Sequence, residues 1–205
     1  MKSQIKTILT STVLVLASTQ VATAHNLGGV TIEKVGYAGN ACPAGSASVV
    51  LANDKKSVSV LFDDYIAEAG GHGQRTFSRK KCDIAFGLKV PNGLSVALIN
   101  ADYRGFLDLP RRAKATFSRN YFFAGSRGPR LKKTWKGTRS DDFLVKDRMG
   151  VMSRVYSKCG ADVILRSKTA ATLRTRRGQE AMIGVDSVDL TSKTVFRYNF
   201  SWKKC

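Results

Sequence analysis

Cys82–Val90 reads CDIAFGLKV, and its large apolar side chains fall on every second position. Ile84, Phe86, Leu88 and Val90 share one face, while Asp83, Ala85, Gly87 and Lys89 take the other. Successive side chains of a strand point to opposite faces of a sheet, so this spacing describes a strand with one buried side. Thr194–Trp202 repeats the pattern, with Phe196, Tyr198, Phe200 and Trp202 set against Arg197, Asn199 and Ser201. Phe117, Tyr121 and Phe123 also share a face, but Arg119 stands among them. Further strand candidates are Val30–Tyr37, Ala47–Ala52, Ser57–Ile66, Leu94–Tyr103, Asp142–Lys146 and Asp162–Leu173. Turn formers separate them at Asn53-Asp54-Lys55, Gly70-Gly71, Pro91-Asn92-Gly93 and Gly178. No long segment has the period of an amphipathic helix. About nine or ten short strands predict an all-β, two-sheet antiparallel β-sandwich of jelly-roll or Greek-key kind.

The first 24 residues read as an address. Lys2 and Lys6 precede an apolar run from Ile8 to Ala17, and Ala22-Thr23-Ala24 offers the small residues of a cleavage site. The run is too short to cross a bilayer, which needs about 20 apolar residues. The expected organisation is a signal peptide over 1–24 and one secreted or periplasmic domain over 25–205. No later stretch is long enough for a membrane helix. Removing 24 of the 205 residues leaves 181, and losing two lysines lowers the formal charge from +19 to +17.

Export gives the cysteines a meaning. Cys42, Cys82, Cys159 and Cys205 all lie beyond the address, and an oxidising compartment favours two disulfides. Four cysteines allow three pairings. Their spacing favours Cys42–Cys82 and Cys159–Cys205, two loops of similar size at the rims of the sandwich. The rival metal reading lacks any CxxC or nearby Cys/His pair.

The composition restricts the chemistry. A hydrophobic fraction of 43% is enough for a core. Only His25 and His72 are available as imidazole bases, and His72 lies in Gly70-Gly71-His72-Gly73. A Ser–His or Cys–His nucleophile is therefore not expected. Asp63-Asp64 would point to opposite faces of a strand and form no dyad, whereas Asp63 with the distant Asp102 remains open. Asp141-Asp142 reads as a turn into a strand, with solvated charges. No phosphate-cradling glycine loop, dinucleotide fingerprint or calcium loop is present. One metal reading is specific: cleavage after Ala24 would expose the His25 amine and imidazole, which with His72 could hold copper. No other cofactor is expected.

The dominant signal is charge. Residues 111–139 hold Arg111, Arg112, Lys114, Arg119, Arg127, Arg130, Lys132, Lys133, Lys136 and Arg139, with no acid between them. Arg166–Arg177 adds five more basic residues, again without an acid. Gly125–Lys136 reads as a basic surface loop, with Trp135 as its one good stacking side chain. The expected binding patch is Arg111, Arg112, Arg127, Arg130, Lys132, Lys133, Trp135 and Lys136. Such a potential attracts polyanions. Outside the cytoplasm these are anionic polysaccharides, envelope polymers and membrane surfaces. Specific nucleic-acid binding is not expected, because most of the aromatics alternate as core residues do.

The residues also carry a resemblance. Gly39-Asn40-Ala41-Cys42-Pro43-Ala44-Gly45, Leu61-Phe62-Asp63, Lys80-Lys81-Cys82 and Val90-Pro91-Asn92-Gly93 come first. Asp102-Tyr103-Arg104-Gly105-Phe106, Tyr121-Phe122-Phe123, Lys158-Cys159-Gly160, Asp186-Ser187 and Trp202-Lys203-Lys204-Cys205 follow. From about Val30 to Cys205, this order resembles a family of small secreted proteins of bacteria and fungi, known as domain of unknown function 4360. The resemblance implies secretion and an all-β domain, and it transfers no functional residue. The chain is more basic than the family's usual look and departs from it in His25 and His72. The resulting expectation is a non-catalytic binding module for an anionic glycan or cell-envelope surface. The alternatives are a glycan-active enzyme, using carboxylates or copper, and a basic protein acting non-specifically on membranes.

Overall fold

A computed structural model describes residues 30–51, 57–71, 75–150, 155–185 and 194–205, with backbone only at 51 and 194–199. The segment 1–24, His25 and His72 lie outside them, as do the expected turns at Asn53–Lys55 and the motif Asp186-Ser187. Twelve strands are formed by the described residues: β1 (Thr31–Ala38), β2 (Ala47–Leu51), β3 (Ser57–Phe62), β4 (Ile66–Ala69), β5 (Phe77–Lys89), β6 (Leu94–Leu109), β7 (Lys114–Phe123), β8 (Arg130–Lys136), β9 (Arg139–Arg148), β10 (Val163–Arg174), β11 (Ala181–Gly184) and β12 (Thr194–Lys204). All pairings are antiparallel. One sheet has the order β1-β5-β10-β7-β8. The other runs β2-β3-β12-β6-β11-β4, with β9 also paired to β6. The expected all-β sandwich with two disulfides is what the chain forms.

The alternation that identified the strands is what fills the core. Ile84, Phe86 and Leu88 of β5 are buried, while Asp83, Ala85 and Gly87 are partly exposed on the outer face. Aromatic rings meet edge-on between the sheets. Phe117 of β7 lies 5.0 Å from Tyr103 of β6, and Phe86 of β5 lies 6.2 Å from Phe200 of β12. Such edge contacts suit the ring quadrupole and add to the area buried.

The expected strand Ser57–Ile66 breaks in two. Asp63 and Asp64 are exposed in the connection between β3 and β4, so they do not alternate on one strand. Strands β8 and β11 were not anticipated, and β11 has only four residues. The expected basic loop Gly125–Lys136 is a turn followed by β8, which pairs with β7 from Lys114↔Lys136 to Asn120↔Arg130. Its alternation is hidden because Lys133 shares a face with Leu131 and Trp135, which edge exposure tolerates.

Gly105 marks a close approach between strands. A Cβ there would stand 2.2 Å from the Gly184 carbonyl oxygen and 2.4 Å from the Phe143 ring. Phe143 pairs with Gly105 across β6 and β9 and packs on Trp135 at 4.7 Å.

Both expected disulfides are formed, Cys42–Cys82 and Cys159–Cys205. Cys82 does not open a strand as expected, because β5 begins five residues earlier at Phe77. The first bridge is thus anchored within β5 and is buried at both ends. Asn40 prepares it by extending the ladder beyond β1: its Oδ1 accepts the Lys81 amide at 2.6 Å, and its Nδ2 donates to the Arg79 carbonyl at 3.0 Å. The second bridge is exposed and ties the end of β12 to the segment before β10. Loops of this size confer about 4 kcal/mol each in the chain-entropy model. Thiol exchange requires access to sulfur. Mild reductant on the folded protein, followed by alkylation and peptide mapping, is therefore expected to label Cys159 and Cys205 well before Cys42 and Cys82.

Candidate functional site

The strand registers convert distant sequence segments into one charged surface. On the outer face of the five-stranded sheet, Lys81 of β5, Ala170 of β10, Ser118 of β7 and Lys132 of β8 form a single cross-strand row. The next row is Asp83, Lys168, Asn120 and Arg130, and on the other side stand Arg79, Thr172, Thr116 and Thr134. A last row holds Phe77, Arg174, Lys114 and Lys136. In the two middle rows Arg79 and Lys81 of β5 and Lys132 of β8 therefore flank the small side chains of Ala170, Thr172, Ser118 and Thr116, while in the end rows Lys168, Arg174 and Lys114 place cations on β10 and β7 as well. The result is a trough of about 530 Å³. Its walls are three strand spacings apart, about 14 Å.

The trough's charges are unevenly satisfied. Asp83 is its acid, and Arg166 grips it with two bonds of 3.1 and 2.6 Å, joined by Lys168 at 3.3 Å. Arg79, Lys81, Arg130 and Lys132 have no ion pair among the described residues. The Asn120 Oδ1 is buried without a hydrogen-bond partner among the described residues.

The expected patch is divided by this geometry. Arg130, Lys132 and Lys136 lie on the outer face of β8, whereas Lys133 points to the opposite side. Arg111 and Arg112 occupy the turn from β6 to β7, where Arg112 has φ 69°. Arg127 lies in the turn at the other end of β7. Trp135 is not a surface stacking residue: it faces inward from β8 and is buried against Phe143 of β9, in the other sheet. Arg79 and Lys81, contributed by β5, were outside the expected patch. Their signal was the same as that of the core, since period-two alternation places both on the face opposite Ile84 and Phe86.

Arg119 leaves the basic surface altogether. It is 4% exposed and grips Asp147 of β9, equally buried, through Nε at 2.9 Å and an amino nitrogen at 2.6 Å. Tyr121 donates to the same carboxylate at 2.6 Å, and its hydroxyl shares a 2.5 Å bond with Tyr103. The remaining amino group donates to the Phe117 carbonyl at 2.7 Å. Burial alone would lower the Arg119 pKa, but the bonds and charge of Asp147 outweigh it and leave the guanidinium more basic than usual. This network joins the two sheets.

The carboxylates weighed for catalysis are dispersed. Asp102 is held by Arg148, and Asp141 lies within β9, where the Arg139 guanidinium holds its carboxyl below the usual range. Asp141 is therefore a strand residue and not part of a turn, while Asp142 lies in a strand as expected, because β9 begins at Arg139. Glu68, Asp108 and Glu180, unnoticed in the sequence, line a depression of about 350 Å³ around Met182 on the other sheet. Among the described residues, no three His, Cys, Asp or Glu side chains are grouped to hold a metal ion. The copper reading of His25 and His72 falls outside those residues.

The family described as domain of unknown function (DUF4360) matches residues 28–205. The chain belongs to this family. An uncharacterized secreted protein of Arthroderma benhamiae (strain ATCC MYA-4681 / CBS 112371) is 32% identical over 178 residues, which span 86% of this chain and 72% of that protein. The solved structure of TmCBM61 in complex with β-1,4-galactotriose aligns at 10% identity with a TM-score of 0.26, covering 85% of this chain and 91% of that one. An overlap that loose carries no argument about ligand. This DUF4360 protein is thus a secreted, disulfide-bonded all-β protein.

Several of its family-like motifs have structural roles here. Gly39-Asn40 seats the first bridge, Gly105 admits the Phe143 ring, and the Cys205 amide donates to the Gly93 carbonyl at 2.8 Å. The inter-sheet network is the test of that structural reading. Asp147→Ala leaves a buried guanidinium unpaired and is expected to cost about 3–5 kcal/mol in urea unfolding. The double replacement Arg119→Met with Asp147→Leu should recover most of that loss, since paired removal eliminates both desolvation costs.

Proposed function

We propose that this secreted protein is a non-catalytic binding module for an anionic glycan or cell-envelope polymer, and that the outer face of the five-stranded sheet is its binding surface. The observation that carries the reading is the row of cations without ion pairs on β5 and β8 that flanks a floor of small side chains. Four like charges held close together raise each other's energy, and an incoming polyanion relieves it. The formal charge of +19 adds long-range attraction. Export, expected through residues 1–24, would bring the surface into contact with polysaccharides and envelope polymers.

The trough supplies N–H and O–H donors and positive charge. It holds no pair of free carboxylates and no imidazole among the described residues, so recognition is the chemistry its groups support. The acidic depression around Glu68, Asp108 and Glu180 lies on the opposite sheet.

Polygalacturonate is a suitable probe. Wild-type protein should bind it at low salt, release it intact, and weaken steeply as salt rises, as counterion release requires. The triple variant Lys81→Ala, Arg130→Ala, Lys132→Ala should bind at least 10-fold more weakly at low salt. Its log–log salt slope should fall by about 3, near one unit per lost contact. Isothermal titration at several salt concentrations measures both. Binding that ignores salt, or survives the triple change, overturns the reading, and soluble sugar products in the supernatant would replace it with the enzyme.

A further inference from the structure

We infer that the trough holds one linear chain of acidic sugars, lying parallel to the β-strands, rather than a broad film of polyanion spread over the whole basic surface. This inference rests on the proposed function and specifies its ligand and pose.

Over the two middle rows the cations stand at the walls, and within these four rows the floor strands carry cations only at the ends, at Lys168, Arg174 and Lys114. Arg79 and Lys81 stand on β5, and Arg130, Lys132 and Lys136 on β8. Alternate residues of one strand repeat about every 7 Å, so each wall offers a ladder of positive charge along the strand direction. The walls are about 14 Å apart, which leaves room for a single chain between them. Ser118, Ala170, Thr116 and Thr172 keep the floor low where two larger side chains would fill it. At one end, Arg174, Lys114 and Lys136 form a basic row across three strands. From that row to the row of Asp83 and Arg130 is six residues, about 20 Å. At that far end Asp83, with Arg166 and Lys168 upon it, is already neutralised and closes the unpaired stretch.

The aromatic side chains favour sugar over nucleic acid. Stacked bases need bare ring faces. The two aromatics near this surface, Phe77 and Phe122, stand outside the floor. Arg174 lies over Phe77 at 4.7 Å, and Lys168 over Phe122 at 5.6 Å. Trp135 is in the core. The floor instead carries Ser and Thr hydroxyls: Ser118 donates to the Ala170 carbonyl at 3.3 Å and Thr116 shares a bond with Thr134 at 3.1 Å, which leaves hydroxyl oxygens able to accept from the hydroxyls of a sugar chain.

The test uses the full secreted protein, a length series of oligogalacturonates, and single-stranded DNA of matched charge. Affinity should rise with length until the oligomer covers about 20 Å and then level off. Ser118→Tyr and Thr172→Tyr change no charge but fill the floor. Each should weaken oligogalacturonate binding at least 10-fold while thermal unfolding shows the variant folded. Affinity that climbs without a plateau overturns the defined trough, as does wild-type binding by both folded variants. Single-stranded DNA binding more tightly than the sugar at equal salt overturns the ligand class. If either variant fails to fold, the wild-type length series decides alone. A wild-type protein that binds no polyanion at low salt overturns the proposed function itself, an outcome distinct from all of these.

Discussion

A buried ion pair fixes how the two sheets face each other. Arg119 projects from β7 into the sandwich and meets Asp147 of β9, which belongs to the other sheet through β6. Taking both charges out of water is costly, and only the two-pronged contact, the Tyr121 hydroxyl and the Phe117 carbonyl offset it. A hydrophobic pair could fill the same space with little loss. The pair contributes direction: a one-residue slip of β7 would turn Arg119 to solvent and bring Ser118 inward, leaving Asp147 alone in the core. The same register that keeps Arg119 inside keeps Thr116, Ser118 and Asn120 outside, where they floor and flank the trough. The core charge thereby determines the shape of the surface.

The strands that were legible in the sequence are those with one wet face and one dry face. Cys82–Val90 and Phe117–Phe123 alternate because each is covered on one side only, and the structure places them in the centre of the five-stranded sheet. Arg119 looked like a flaw in that pattern and is part of it, since its partner lay 28 residues away in β9. β8 was illegible for the opposite reason. As an edge strand it is partly uncovered, so RLKKTWK obeys no strict alternation, and Trp135 passed for a loop residue although it packs against Phe143 of β9 in the other sheet. The split between β3 and β4 was hidden because Asp63-Asp64 could sit on a strand as readily as in a bend.

The proposed binding surface shows a different limit. Charge density along the chain pointed to residues 111–139, yet a sheet collects its face from strands that are distant in sequence. Arg119 belongs to that run and is in the core, Lys133 faces the other side, and Arg127 sits at a remote turn. Arg79 and Lys81 lie outside the run and stand across the trough from Arg130 and Lys132. Composition told the sign of the partner. Only register could tell which cations act together. The cysteines were more legible, because a covalent bridge between sequence neighbours in pairing order leaves a spacing signature that a noncovalent surface does not.

The distribution of charge also orients the molecule. The outer face of one sheet concentrates cations around a trough, while the depression on the other sheet is lined by Glu68, Asp108 and Glu180. A polyanion approaching from any side is attracted by the net charge, but close in it is repelled from the acidic depression and drawn to the opposite face. With screening over about 8 Å at physiological salt, that second effect acts only near the surface. Capture as proposed would therefore have two stages: an unspecific attraction set by composition, followed by a choice of face set by strand register. The first would persist in any protein of this charge. The second depends on Arg119 remaining inside the sandwich, because a β7 turned over by one residue would present Phe117, Tyr121 and Phe123 to the trough in place of its small polar floor.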